Sequence, residues 1–168
     1  MNQISPEVIA RLFDRHAAAL ELYAAQWARA PADVVQEAFL KLARQSTSPD
    51  RPVAWMYRVV RNAAISAARS ESRRARIEQA APGTDRHWFE PAAGDRLDAQ
   101  EATKALRSLS DEEREVVIAR IWGELTFEEI ADIAGMSSST AHRRYESALA
   151  SLRERLGVTW LTNIETTK

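Results

Sequence analysis

The sequence predicts an all-α fold: two small helical domains joined by a flexible linker, the C-terminal one carrying a helix-turn-helix. Three observations point there. Apolar residues recur at three- and four-residue spacing in one segment after another. The period is lost from Ala80 to Asp95, where AAPGTDRHWFEPAAGD holds two prolines and two glycines and reads as a linker. Thr126 to Leu156 then reads as a short helix, a tight turn and a longer basic helix. The expected domains are 1–76 and 99–160, with 77–98 as the linker and 161–168 as a tail.

Ser5-Pro6-Glu7 opens the first helix, with a serine cap, proline in the first turn and an acid at the positive dipole end. Ile9, Leu12, Phe13, His16, Leu20, Tyr23 and Trp27 follow at helical spacing, and the helix is expected to end near Ala30-Pro31. His16 reads as a packed or surface histidine, since no second histidine or carboxylate cluster is spaced to join it. A second helix over Asp33 to Leu42 sets Val35, Phe39 and Leu42 against a polar side of Asp33, Gln36, Glu37 and Lys41. The loop QSTSPDRP, Gln45 to Pro52, either reads splayed-out bases or simply connects. A long helix from Val53 to Arg76 has Met56, Val59, Val60, Ala63 and Ala67 as its expected buried stripe. Along it Trp55, Tyr57, Arg58, Arg61 and Asn62 interleave rings, arginines and an amide. That mixture suits a surface for single-stranded nucleic acid, and equally a core tryptophan with a solvated basic rim.

Past the linker, whose His87-Trp88-Phe89 cluster is expected to dock on a neighbouring domain, Leu97 to Leu109 resumes a helix. Ser110 with Glu113 is a capping box that starts the next, through Val116, Val117, Ala119, Arg120 and Trp122. Thr126 with Glu129 is another, starting the short helix of Ile130, Ala131, Ile133 and Ala134, which Gly135 stops. Ser137 or Ser138 can cap the last helix, where Ala141, Tyr145, Ala148, Leu149, Leu152 and Leu156 form the apolar face. Small Ala131 lets two helices cross closely, and with Gly135 and Ala141 it has the helix-turn-helix spacing. In that unit the second helix enters the DNA major groove by its N-terminal residues, here Ser138, Ser139, Thr140, His142, Arg143 and Arg144. The plainer reading is a helical hairpin with solvated charges. Four helices thus make the C-terminal unit, and Val158, Trp160 and Leu161 are the apolar part of the tail.

The net charge of −1 does not itself suggest a nucleic-acid binder, but its distribution does. Trp55 to Arg76 carries six arginines against one acid, while Ile77 to Thr103 carries two arginines against six acids. Two basic blocks, the second from Thr140 to Arg155, are separated by an acidic stretch, as two DNA-facing surfaces with acidic connections would be. There is no cysteine, so disulfides and thiolate metal sites are excluded. No long apolar run or leader segment appears, and a cytoplasmic protein without membrane insertion is expected. No glycine-rich phosphate loop, no His-x-x-x-His pair and no serine in an elbow context is present, so neither an enzyme, a metal site nor a cofactor is expected.

Together these motifs resemble a bacterial RNA polymerase sigma factor of the extracytoplasmic-function group of the sigma-70 family. DVVQEAFLKLAR and PVAWMYRVVRNAAISAARSESRR, within 33–74, resemble that family's second conserved region. SLSDEEREVVIARIWGELTFEEIADIAGMSSSTAHRRYESALASLRERL, about 105–156, resembles its fourth. The resemblance implies a transcription initiation factor that directs core polymerase to −10 and −35 elements; the alternative is a stand-alone helix-turn-helix regulator. It implies that Asp33, Gln36, Glu37, Phe39 and Leu40 dock the coiled coil of the polymerase clamp subunit, with the flap as a further partner. Trp55, Arg58, Arg61, Asn62, Arg69 and Arg73 would form the −10 surface, and Ser138, Ser139, Thr140, His142, Arg143 and Arg144 the −35 surface. An inhibitory partner, an anti-sigma factor, is usual for the family. Ser66 stands where an acid is common, Ala141 where a β-branched residue is, and His142 where lysine is frequent, which makes that contact weaker or pH-sensitive.

Overall fold

The computed structural model describes residues 4–78 and 96–156, with side chains from 101 onward in the second stretch. Most of the expected linker, its His87-Trp88-Phe89 cluster, and the tail with Val158, Trp160 and Leu161 lie outside the described residues. Two compact units divide the chain, Met1–Phe89 and Glu90–Lys168.

Three mutually packed helices build unit 1: α1 (Pro6–Ala24), α2 (Pro31–Ala43) and α3 (Pro52–Ile77). Each begins with proline in its first turn, where the missing N–H would have had no partner and the fixed φ already suits a helix. For α2 and α3, which have no side-chain cap, proline is the main local start signal. Leu20, Tyr23, Val35, Leu42, Met56, Tyr57 and Val60 fill the core. At its centre the Tyr23 ring lies 4.8 Å from Tyr57 and 5.2 Å from Trp27.

Two expectations change here. The first helix ends at Ala24 instead of near Ala30, because tighter i→i+3 bonds take over: Trp27 N–H donates to Ala24 O at 3.0 Å and Gln26 N–H to Tyr23 O at 3.4 Å. That turn sets Trp27 edge-on against Tyr23. The second concerns Tyr57, left out of the expected buried stripe of α3 but 0% exposed. It shares a face with Val60 and Ala64, so the buried stripe of α3 is Met56, Tyr57, Val60 and Ala64, with Val59, Ala63 and Ala67 half-buried beside it. Burial pushes the Tyr57 phenol well above its ordinary pKa, and the same burial keeps its ring from stacking on a base.

Unit 2 holds α4 (Arg96–Arg107), α5 (Asp111–Ile121), α6 (Phe127–Ala134) and α7 (Ser138–Leu156), with α7 packed on the other three. The central element is α5, whose residues Arg114 to Ala119 are all buried. Its capping box forms as expected, with Ser110 Oγ accepting from Glu113 N–H and Glu113 Oε2 accepting from Ser110 N–H. Arg114 was not singled out from the sequence, yet it ties α4 to α5. Its Nε donates to Leu106 O at 2.9 Å, and its Nη2 to Leu109 O at 2.8 Å and Arg107 O at 3.2 Å. Nη1 pairs with Asp111 at 2.9 Å. One planar fork thereby satisfies the carbonyls left over at the end of α4.

Arg114→Met should destabilise unit 2 by roughly 2–4 kcal/mol, because it strands buried carbonyls. Arg114→Lys should recover little of that, a point charge being unable to reach three acceptors. Urea unfolding with amide exchange at α5 measures both.

Candidate functional site

The helix-turn-helix is built by local chemistry. Thr126 Oγ1 accepts from Glu129 N–H at 3.2 Å and Glu129 Oε2 from Thr126 N–H at 2.8 Å, starting α6. Gly135 ends it at φ 71°, ψ 39°, with its own N–H and that of Met136 donating to Ala131 O. A Cβ there would meet nothing within 4 Å, so glycine is required by the left-handed backbone and not by space. Ser137, not Ser138, caps α7: its Oγ accepts from Thr140 N–H at 3.1 Å. Ala131 and Ala141 are both buried, as close packing of α6 on α7 needs.

The N-terminal turns of α7 present Ser138, Ser139, His142 and Arg143 to solvent, with Thr140 and Arg144 half-buried. Several of these side chains are held from behind. His142 packs edge-on against Phe127 at 4.9 Å and brings Nδ1 to 3.5 Å from Glu146 Oε2. The Arg120 guanidinium lies over the same Phe127 ring at 4.9 Å and donates to Leu125 O, fixing the turn before α6. Arg144 rests on Met136 Sδ at 3.8 Å. Arg143 makes no ion pair or hydrogen bond among the described residues and points its charge outward unengaged. From behind α7, Ser147 donates to Glu113 Oε1 at 2.7 Å, and this bond with those from Ser110 and the nearby Arg144 holds the carboxyl below its ordinary pKa of 4.5.

Unit 1 offers two further surfaces. On α2, Asp33, Gln36, Glu37 and Leu40 are exposed, whereas Phe39, expected with them, is buried with its ring 5.0 Å from Phe13. Phe13 itself is 46% exposed and Leu40 42%, which makes an apolar element on a polar face. Phe13 was read as a core position. Periodicity put both Leu12 and Phe13 on the apolar stripe and gave no signal as to which of the two adjacent positions faces out. On α3, Arg58, Asn62, Arg69 and Arg73 are exposed, Trp55 and Arg61 half-buried. The Arg61 guanidinium lies 5.8 Å over Trp27, so a residue assigned to the apolar stripe of the first helix reaches the basic surface. Arg58 and Arg73 stand about 22 Å apart along the helix, too far for one small ligand to touch both.

With these surfaces placed, comparison with known families decides the identity. The sigma-70 region 2 family matches residues 12–74 and the sigma-70 region 4 family residues 105–154, together more than half of the chain. The chain belongs to the sigma-70 family. Its region 2 followed by region 4 is the arrangement of the extracytoplasmic-function group. This sigma factor is therefore a transcription initiation factor, whose partners are core RNA polymerase and promoter DNA. No curated protein sequence matches the chain. Solved structures that share its fold include the following two. The sigma factor RpoE from Bartonella quintana, in complex with the anti-sigma factor NepR, is 24% identical, with a TM-score of 0.69 over 92% of this chain and 99% of that one. CnrH in complex with the cytosolic domain of CnrY is 24% identical, with a TM-score of 0.60 over 92% of this chain and 91% of that one.

Among the described residues no helix is long and apolar enough to cross a membrane, and no group of three histidines, cysteines or acids is placed to hold a metal ion. The placement of the arginines meets the condition on which a DNA-facing reading depends: Arg58 and Arg143 are exposed, and Arg61 and Arg144 only half-buried.

Because the Glu113 pKa is lowered by folding, its stabilising effect is present above the ordinary value near 4.5 and is lost as pH falls through the lower folded value. The stability gap between wild type and Glu113→Gln should therefore be open at neutral pH and close as pH falls through the lowered folded pKa. Ser147→Ala should narrow the gap at neutral pH, as read by urea unfolding at each pH.

Proposed function

We propose that this sigma factor binds the polymerase through α2 and reads its promoter with α3 and α7. Asp33, Gln36, Glu37 and Leu40 meet the clamp subunit's coiled coil, with buried Phe39 holding the helix in place and exposed Phe13 extending the surface. Trp55, Arg58, Arg61, Asn62, Arg69 and Arg73 meet the −10 element, where rings and guanidinium groups suit opened strands. Ser138, Ser139, Thr140, His142, Arg143 and Arg144 meet the −35 element in the major groove. The working division is 1–76, linker 77–98, 99–160 and tail 161–168. Action in the cytoplasm, contact with the polymerase flap and control by an anti-sigma factor complete the proposal; RpoE was solved with an anti-sigma factor bound, and CnrH with the cytosolic domain of CnrY.

The observation that carries the −35 assignment is the outward, unengaged charge of Arg143 between His142 and Arg144 on a capped helix whose opposite side is buried. In a promoter-directed transcription assay, added protein should raise initiation well above core polymerase alone; an equal rate would refute the reading. Arg143→Ala should cost roughly 1–3 kcal/mol of promoter recognition, a loss of about 5- to 150-fold that depends on the −35 sequence. Gln36→Ala with Glu37→Ala should lower affinity for core polymerase, measured by pull-down, without changing helix content.

A further inference from the structure

We propose that Glu146 and Phe127 fix His142 as a hydrogen-bond acceptor in the major groove, so that the base it meets in the −35 element is adenine or cytosine. This deepens the −35 reading above and rests on it. His142 is exposed on the N-terminal part of α7, the part that enters the groove in a helix-turn-helix. Its Nδ1 lies 3.5 Å from Oε2 of Glu146, one turn further along the helix. A carboxylate oxygen offers only lone pairs, so the imidazole nitrogen that faces it is the one carrying the proton. In the neutral ring the other nitrogen, Nε2, is then an acceptor. It has no hydrogen-bond partner among the described residues. Glu146 is the first acid along α7, on the same side as His142, where it repels phosphates. Setting the His142 ring is what it contributes against that cost.

A second support comes from outside the recognition helix. Phe127, at the start of α6, meets the imidazole at 4.9 Å with the two planes 74° apart. Phe127 is itself held by Tyr145, 5.5 Å away, and by the Arg120 guanidinium 4.9 Å over its ring. Arg120 in turn donates to Leu125 O at 2.8 Å. These supports matter because a recess of about 380 Å³ opens beside His142, walled by Arg120 and Phe127, and an unheld imidazole would have room to turn into it. A stabilising surface pair is too little to explain the arrangement. With side chains 53% and 66% exposed, His142 and Glu146 add little to stability, and their effect falls on which ring nitrogen faces outward. In the major groove adenine N6 and cytosine N4 are amino donors, whereas guanine O6 and thymine O4 accept. An acceptor at His142 bonds the first two and meets the lone pairs of the others. Arg143 and Arg144 beside it only donate, so the helix presents both polarities.

The test is equilibrium binding by holoenzyme, assembled from core polymerase and the full chain, to promoters carrying each of the four bases at each −35 position in turn. It is run at about pH 8, above the ordinary imidazole range. His142→Ala should flatten the preference at one base pair, which locates the contact. Read along one strand of that pair, wild type should rank adenine and cytosine above guanine and thymine by about fivefold. His142→Lys, which only donates, should invert the ranking on the same strand. Exchanging adenine there for purine, which lacks the N6 amino group, should weaken binding of wild type and leave that of His142→Ala unchanged. Glu146→Ala should narrow the ranking at that pair alone, while raising affinity for all sequences together as an acid leaves the DNA face. Phe127→Leu should narrow it as well, and Phe127→Tyr should restore it. Urea unfolding should find Glu146→Ala as stable as wild type. A ranking that divides the bases in another way overturns the proposal, as does purine bound as well as adenine, or a Glu146→Ala effect equal for every base. So does a His142→Ala holoenzyme with every −35 preference intact. Wild-type holoenzyme that selects no promoter would instead overturn the proposed function, which is a different failure.

Discussion

A buried guanidinium is the interaction on which unit 2 depends. Residues 114 to 119 of α5 have no exposed face, so the helix can be surrounded only if the polar ends around it are satisfied from inside. Arg114 does this for the last carbonyls of α4 while pairing with Asp111 in its own first turn. On that fixed helix α7 is seated through Ala141, Ala148 and Leu152, with Ser147 bonded to Glu113. The outward face of α7 is then set without any of its recognition residues entering the core.

Unit 1 solves the same problem with rings. Tyr23, Tyr57 and Trp27 form a ladder that packs the end of α1 against α3, and Arg61 lies over the last ring. Burying Tyr57 removes one aromatic from the outer face of α3, and the turn after α1 brings Trp27 up to its arginines. Polar groups remain inside: His16 Nδ1, Gln26 Oε1 and the Tyr57 hydroxyl have no hydrogen-bond partner.

Much of this was legible from residues alone, for reasons that are local. A capping box needs four consecutive residues, so Ser110–Glu113 and Thr126–Glu129 could be read directly, and both form. Gly135 could be read as a stop because positive φ excludes most other residues. Exposure of Arg58 and Arg143 followed from the periodicity of their neighbours. Tyr57 and Phe13 were less legible, since periodicity defines a stripe only to within about one residue on a helix with 3.6 residues per turn. A shift of that size exchanges a surface ring for a core ring.

The sequence by itself determined the helices, their caps, the glycine turn and the pairing of two basic segments, because those depend on residues within a turn or two of one another. Only the tertiary structure decided that Arg114 closes α4 over α5, that Trp27 meets Arg61, and that Phe127 meets His142. Each of those requires residues from different helices to meet, and their sequence separation carries no signal of it.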